Sequence, residues 1–397
     1  MSSRLGSTAR ALAVVALVVS ALAALPSPAA AQGCTAIPSW FSGIPPVPAN
    51  QPQTVCQFEQ WAWQSFLGLL GTNAAQPTAL FLTWPLPKDT MSIDYCVRGC
   101  GTPKGPKVTL RGLCQGAATD EVANATEQPG FSPLVGSTSG TGELIDQRGN
   151  VVFIGAHVSP AWVDFIERRQ LYNGTVLANA NPLLSFHVGS FEVKTAWRST
   201  AGMSPAEKAT YFTAPVCQIV DNKHTATVEM ALVGFHIIGG APNHPEQIWA
   251  TFEHRFNAPD CQLTPAPGTW SFYDGKTNCR TTPCNVSATA ANPSAKTTVC
   301  RVSPFGGANA QVATQIAQLN ADVRAKLPAG SVLRNYDLVG TVWSSDPLPS
   351  NAVALNLQDP AGSPLLANTT LETYKQGVSC FGCHNTQFPG ELALAGG

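Results

Sequence analysis

Charged residues are scarce in this chain of 397 residues. Only 12% of its residues are Asp, Glu, Lys or Arg, and the formal net charge is −1. Proteins that bind nucleic acids or anionic membrane surfaces present an excess of positive charge, so no nucleic-acid partner is expected. The 34 glycines and 32 prolines instead favour many turns and short strands.

The sequence also lacks long apolar runs. Its most apolar stretch, residues 11–25, is shorter than the roughly 20 residues that a membrane-spanning helix needs. Arg4 and Arg10 precede this stretch and the small residues 29–31 follow it, which is the order of a secretory signal peptide. We therefore expect residues 1–31 to be removed from an exported bacterial protein, periplasmic or secreted, with no transmembrane segment remaining.

Cysteine, by contrast, is plentiful. Two of the 12 cysteines belong to a motif near the C-terminus, and the other ten are an even number in a chain expected to be exported. Such a set is typical of disulfides formed in an oxidising compartment. Cys96 with Cys100 and Cys279 with Cys284 are the candidate local pairs, and the remaining connectivity stays open.

Apolar periodicity predicts strands with a few helices. Residues 55–69 and 312–323 have helical spacing, and Ser159-Pro160 and Ser204-Pro205 are typical helix starts. The strand candidates are residues 80–84, 190–197, 225–238, 248–256, 269–273 and 333–343. Residues 225–238 are apolar on both faces, with His236 expected on the face of Met230 and Leu232. Such a strand is typical of the centre of a sheet.

The order of these elements shows no alternation of strand and helix. We therefore expect an α+β protein, mainly antiparallel β as a sheet or sandwich, with peripheral helices and a C-terminal haem-attachment segment. Residues 32–365 are assigned to one β-rich globular domain. Residues 366–397 are assigned to the attachment segment packed on it.

The C-terminal motif is Cys380-Phe381-Gly382-Cys383-His384, the Cys-x-x-Cys-His pattern of c-type haem attachment. Two thiols one helical turn apart can bond to the two vinyl groups of one haem, and the adjoining histidine can ligate the iron. A thioredoxin-like pair, a zinc site and a plain disulfide are the alternatives. Upstream, Thr369 and Glu372 have the spacing of a capping box, which predicts a short helix leading to the motif and ending at Gly377.

Together with this motif, several stretches resemble a family of exported bacterial single-haem c-type cytochrome-like proteins. The similar stretches are residues 63–66 (WQSF), 83–85 (TWP), 190–198 (SFEVKTAWR), 232–237 (LVGFHI), 249–254 (WATFEH) and 366–373 (LANTTLET). The resemblance implies a haem protein and does not define a reaction.

The second axial ligand of the iron is not defined by the motif. Only 13 residues follow His384, and none is Met or His. Any distal ligand must therefore come from earlier in the chain. His236 is the first candidate, His254 the second, and Met230 or an open position the remaining alternatives.

These residues predict one covalent haem c, held by Cys380 and Cys383, with iron ligated by His384 and His236. The preferred function is electron transfer with a periplasmic redox partner protein. The alternatives are a peroxidase- or oxygen-linked haem enzyme, using His236 or Glu253 as acid or base, and a redox or gas sensor with an open distal site. A haem carrier needs only about 100 residues, so the rest of the chain is expected to bind something further.

Overall fold

The computed structural model describes most of the chain after residue 32. The described residues are 33–46, 48–71, 79–84, 144–171, 176, 186–220, 223–286, 296–307, 309–345, 360–377 and 379–383. By its internal contacts the chain divides into Met1–Gly33 and Cys34–Gly397. The predicted signal peptide and the predicted pair Cys96 and Cys100 lie outside the described residues.

The described residues form seven strands and several helices. The strands are β1 Phe153–Val158, β2 Phe191–Ser199, β3 Thr213–Val220, β4 Lys223–Ala241, β5 His244–His254, β6 Tyr336–Ser344 and β7 Pro360–Gly362. The α-helices are α1 Val55–Leu70, α2 Pro160–Arg168, α3 Pro205–Lys208, α4 Ala310–Lys326 and α5 Cys380–Cys383. Short 3-10 helices occupy Pro38–Phe41, Leu80–Thr83, Cys261–Leu263 and Val332–Asn335. Among these described elements, no helix is both long and apolar enough to cross a membrane.

All seven strands join one antiparallel sheet. Its order is β1-β2-β4-β5-β6-β7, and β3 pairs with the first part of β4. The 19-residue strand β4 is the centre of the sheet, because β2, β3 and β5 all pair with it. This architecture confirms the predicted α+β class with a mainly antiparallel sheet.

Helix α1 covers one face of the sheet. It begins with a capping box in which the Thr54 hydroxyl accepts from the backbone of Gln57 and the Gln57 side chain accepts from the backbone of Thr54. Its aromatic side chains enter the main apolar core, where the Phe66 ring stacks on Phe252 at 4.1 Å between ring centres. Glu59, also on α1, is completely buried in this layer.

A β-bulge changes the alternation of side chains along β4. Ala196 pairs with Gly234 but Trp197 pairs with Leu232, so Val233 is an extra residue in the ladder. Side chains along a strand alternate between the two faces of the sheet, and an extra residue interrupts this alternation. Two even-numbered residues on opposite sides of the bulge therefore point to opposite faces. The prediction that His236 shares a face with Met230 and Leu232 is therefore wrong.

Several local predictions are confirmed and others are corrected. Ser159 and Ser204 cap α2 and α3, and Cys279 forms a disulfide with Cys284. Residues 80–83 form a 3-10 helix, and residues 269–273 are irregular chain with bends at 271 and 272 rather than the predicted strand. Two further disulfides, Cys34–Cys56 and Cys261–Cys300, were not predicted as pairs.

Candidate haem-attachment site

The two cysteines of the motif are the first and last residues of α5, Cys380–Cys383. The helix therefore separates them by one turn, as the haem-attachment hypothesis requires. His384 follows directly and lies outside the described residues. The Cys380 side chain is half-buried, with its sulfur 4.0 Å from the carbonyl oxygen of Leu366.

Phe381 attaches the motif to the face of the sheet opposite α1. Its side chain is 4% exposed and belongs to an apolar cluster with Ile238, Trp249 and Leu366. The rings of Phe381 and Trp249 meet edge to face, with 6.3 Å between centres. Ile238 and Trp249 are paired neighbours on β4 and β5, so the motif packs on the centre of the sheet.

The chain before the motif, residues 366–377, is here termed the C-terminal segment. It lies on the same sheet face and is held by hydrogen bonds to β5. The Asn368 amide donates to the Thr251 hydroxyl at 2.8 Å and to the Phe252 carbonyl at 3.0 Å. These bonds make the segment part of the packed structure.

A buried ion pair completes this attachment. Arg301 donates to both carboxylate oxygens of Glu253, at 3.0 and 2.9 Å, and both side chains are at most 5% exposed. The same two oxygens also accept hydrogen bonds from Thr369. Glu253 therefore accepts four hydrogen bonds, which explains its location in the interior and assigns it a positioning role.

The predicted capping box at Thr369 does not form a helix. Residues 366–372 are irregular chain and turns, and the Thr369 hydroxyl bonds to Glu253 rather than to the backbone three residues later. Glu372 folds back instead, and its Oε2 accepts from the backbone N–H of Asn368 at 2.8 Å. Gly377 has φ +91° and lies in a turn, because the described residues 366–376 contain no helix for it to end.

Two glycines leave room for the segment. A Cβ on Gly234 of β4 would overlap the Thr370 hydroxyl and lie 2.8 Å from Asn368 Oδ1. A Cβ on Gly340 of β6 would overlap the Ser363 hydroxyl in the same way. These positions need glycine because residues 363–370 of the same chain approach the sheet closely there.

His236 lies on this sheet face and contacts the segment. Its Nε2 is 2.7 Å from Glu372 Oε1, and the His236 residue is 9% exposed. Burial by itself would raise the pKa of Glu372, but His236, Lys194 and the bond from Asn368 together lower it. Glu372 is therefore an anionic partner of the imidazole, a role that the sequence did not reveal.

Lys194 and Glu192 continue the charged cluster onto β2. Lys194 is the direct pairing neighbour of His236, and Glu192 that of Ile238. Both side chains are buried, with only 5% of Glu192 and 8% of Lys194 exposed. Burial raises the pKa of Glu192 to about 8, against the opposing effect of Lys194, and lowers the pKa of the Lys194 amine. Among the described residues no donor reaches Glu192 Oε1.

The other candidate ligands lie elsewhere. Met230 is completely buried in the core beneath α1, on the face opposite Phe381. His254 is a core histidine: its Nε2 is 3.1 Å from the carbonyl oxygen of Thr210, and its ring stacks on Tyr211 at 3.8 Å. Burial lowers the pKa of His254 to about 3, so this imidazole is neutral. Of these candidates, His236 is the one that shares the sheet face of the motif.

Comparison with family models, with curated proteins and with solved structures finds no match for this chain.

Proposed function

We propose that this protein is a c-type haem protein that transfers electrons. Cys380 and Cys383 would hold one haem covalently, and His384 would ligate its iron. The bound haem supplies a reversible one-electron change at iron. The single observation that carries the proposal is the Cys-x-x-Cys-His sequence, whose two cysteines lie one helical turn apart in α5.

The surroundings of α5 fit such a group. The Phe381 side chain contacts an apolar cluster rather than charged groups, and Cys380 is accessible enough to react. The hydrogen bonds of Asn368 and Thr369 hold the preceding segment, so the attachment point keeps a defined position. A fixed position lowers the reorganisation that accompanies electron transfer at a bound group.

His236 is proposed as the distal ligand. It lies on the sheet face of the motif, and its ring is oriented by a carboxylate, as ligating histidines usually are. The bond to Glu372 engages Nε2. Ligation therefore requires either that Nε2 leave Glu372 or that the ring use Nδ1.

A second function is favoured by the bond between His236 Nε2 and Glu372, because this nitrogen is then not available to the iron. That function is a haem enzyme, or a redox or gas sensor, with an open distal position. In that case His236 and Glu372 would remain paired, and the imidazole would serve as a proton donor or a hydrogen-bond donor. The disulfides support an oxidising compartment, and we propose a periplasmic or secreted location. For the electron carrier, the partner is a redox protein of that compartment.

The test is to produce the full chain in a host with haem-attachment machinery. A peptide containing Cys380 and Cys383 should carry the mass of one haem, and the variant C380S with C383S should carry none. A haem-free wild-type peptide from such a host would refute the proposal. The visible spectrum then separates the two functions, since six-coordinate low-spin iron indicates a carrier and five-coordinate high-spin iron an enzyme or sensor.

A further inference from the structure

A cavity of about 530 Å³ is lined by residues other than those that pack around Phe381 of the haem motif. It lies between the turn after α3 and residues 267–271, and its lining includes Glu207, Tyr211, Phe256 and Trp270. Its volume is within the roughly 300–1,000 Å³ that is usual for small-molecule sites. No part of the proposed haem function uses it.

Two of the lining residues, Tyr211 and Ser271, belong to a buried network of hydrogen bonds. Arg198 of β2 is 1% exposed, is paired with Asp146 at 3.1 Å and donates to the Ser271 hydroxyl at 2.6 Å. The Ser271 and Tyr211 hydroxyls are 2.9 Å apart, and both residues are 4% exposed. Because the buried Arg198 donates a hydrogen bond to Ser271, the Ser271 and Tyr211 hydroxyls keep fixed positions at the cavity wall.

The charges around the cavity are compensated. Arg148 binds both carboxylate oxygens of Glu207, at 2.7 and 2.5 Å, and Arg198 is neutralised by Asp146. A charged ligand would therefore meet no unpaired counter-charge. A wholly apolar ligand would remove the exposed part of the Glu207 carboxylate, which is 22% exposed, from water without offering a hydrogen bond in return, which is costly.

The side walls are aromatic and rigid. The Tyr211 ring is stacked on His254, and the Trp270 indole N–H donates to the Ala266 carbonyl at 2.9 Å. Phe256 remains 44% exposed although it is large and apolar. Aromatic faces held in place in this way offer apolar contact at little entropic cost.

We propose that this cavity binds a neutral carbohydrate ring. The C–H face of a pyranose would stack on the aromatic wall of Trp270 or Phe256. Its hydroxyl groups would bond with Glu207 and with the Tyr211–Ser271 pair. A pyranose combines an apolar face with several uncharged hydrogen-bonding groups, which matches the aromatic and polar sides of the lining.

The proposal is tested on the purified full-length protein. Cellotetraose, maltotetraose and tetra-N-acetylchitotetraose are each titrated by calorimetry, with p-cresol as an aromatic probe. At least one sugar should bind with a Kd of about 1 mM or tighter. W270A should weaken that binding at least about tenfold. W270F keeps a ring and should stay within about threefold of wild type. L263A removes an exposed apolar side chain outside the lining and should leave it unchanged.

Hydrogen exchange of the wild-type protein gives a second test, which does not depend on whether the variants fold. Bound sugar should slow hydrogen exchange of the backbone amides of residues 268–271, which follow Pro267 in the lining. The proposal is overturned if no sugar binds at about 10 mM, if p-cresol binds and the sugars do not, or if protection appears only outside that loop. Equal sugar affinities for W270A and L263A would overturn it as well.

Discussion

The carboxylate of Glu253 accepts two hydrogen bonds from Thr369, one from the backbone N–H at 2.6 Å and one from the hydroxyl at 2.5 Å. Glu253 belongs to β5, and Thr369 lies 116 residues later in the C-terminal segment. Bonds to an ionised acceptor are stronger than bonds between neutral groups. This contact therefore makes Glu253, with Arg301 behind it, the main polar attachment of the segment that leads to the motif.

Removal of the Glu253 carboxylate should destabilise the whole fold. In E253A the Arg301 guanidinium stays buried without its partner, and breaking a buried pair in this way costs about 3–5 kcal/mol. Urea unfolding of the purified protein measures the change. K208A removes the exposed ion pair with Glu229 and should cost less than about 1 kcal/mol. Equal costs for the two variants would contradict the positioning role of Glu253.

A side chain at Gly234 should displace the C-terminal segment. In G234A the new methyl group overlaps the Thr370 hydroxyl, and overpacking of this kind costs about 1–3 kcal/mol. Faster proteolysis within residues 366–377 should accompany the loss. At Gly330 no atom of the described residues lies within 4 Å of a Cβ, so G330A is the control and should leave proteolysis unchanged. Unchanged proteolysis in G234A would show that the segment does not depend on this close approach.

The pair His236 and Glu372 separates the two haem functions. If His236 ligates the iron, H236A should convert a low-spin spectrum to a high-spin one while the covalent haem remains. E372Q should then keep the spectrum low-spin but shift the reduction potential, since the carboxylate tunes the imidazole. A wild-type protein that is already high-spin would exclude ligation by His236 and favour the enzyme or sensor. A low-spin wild type whose spectrum does not change in H236A would require another ligand.

Stability should depend on the protonation of Glu59. Burial raises its pKa to about 8, only partly offset by the bond from Thr341, and among the described residues no donor reaches its Oε2. The folded state therefore holds this proton more tightly than the unfolded chain, whose pKa is 4.5. The stabilising contribution is present below about pH 4.5 and is lost as pH rises towards 8.

The variant E59Q has no such proton to lose. Its stability relative to wild type should rise between about pH 5 and pH 8, by at most about 1.4 kcal/mol per pH unit. Urea unfolding at several pH values gives the difference directly. E167Q, at an exposed helical position, should follow the wild type throughout. A constant difference between E59Q and wild type would disprove the proposed titration.

The disulfides should contribute unequally to stability. Cys261–Cys300 joins residues 39 apart, whereas Cys279–Cys284 joins residues only 5 apart. In the chain-entropy view, the longer closed loop contributes about 4 kcal/mol and the shorter about 2 kcal/mol. Double serine variants of each pair, compared by urea unfolding, measure the two values. A larger loss from the shorter loop would contradict this view.

The regular elements were predictable because their apolar spacing is local information. Helix α1 and strands β2, β4, β5 and β6 follow such patterns and lie close to the predicted positions. Strand β3 was not predicted, and residues 269–273 look like a strand in sequence but bond instead to the chain near Asn257. Pattern reasoning cannot distinguish these cases, because tertiary pairing decides between them.

The candidate site was predictable only at the motif itself. One inserted residue at Val233 turns His236 to the other sheet face, and no spacing rule reveals a bulge. Thr369 and Glu372 have the spacing of a capping box, yet buried Glu253 competes successfully for the Thr369 hydroxyl. The roles of Glu372, Lys194 and Arg301 depend on contacts between distant parts of the chain, which the sequence does not display.

Every group that receives the C-terminal segment is synthesised before it. Gly234, Glu253, Arg301 and Gly340 all precede residue 366, so a chain that stops before this residue still contains the complete receiving surface. A chain cut short before that residue would leave the Glu253–Arg301 pair and the apolar side chains of Ile238 and Trp249 open to water. Exposed groups of this kind are what chaperones and proteases recognise. Incomplete chains would thus be distinguished from complete ones by the surface that the missing segment leaves uncovered.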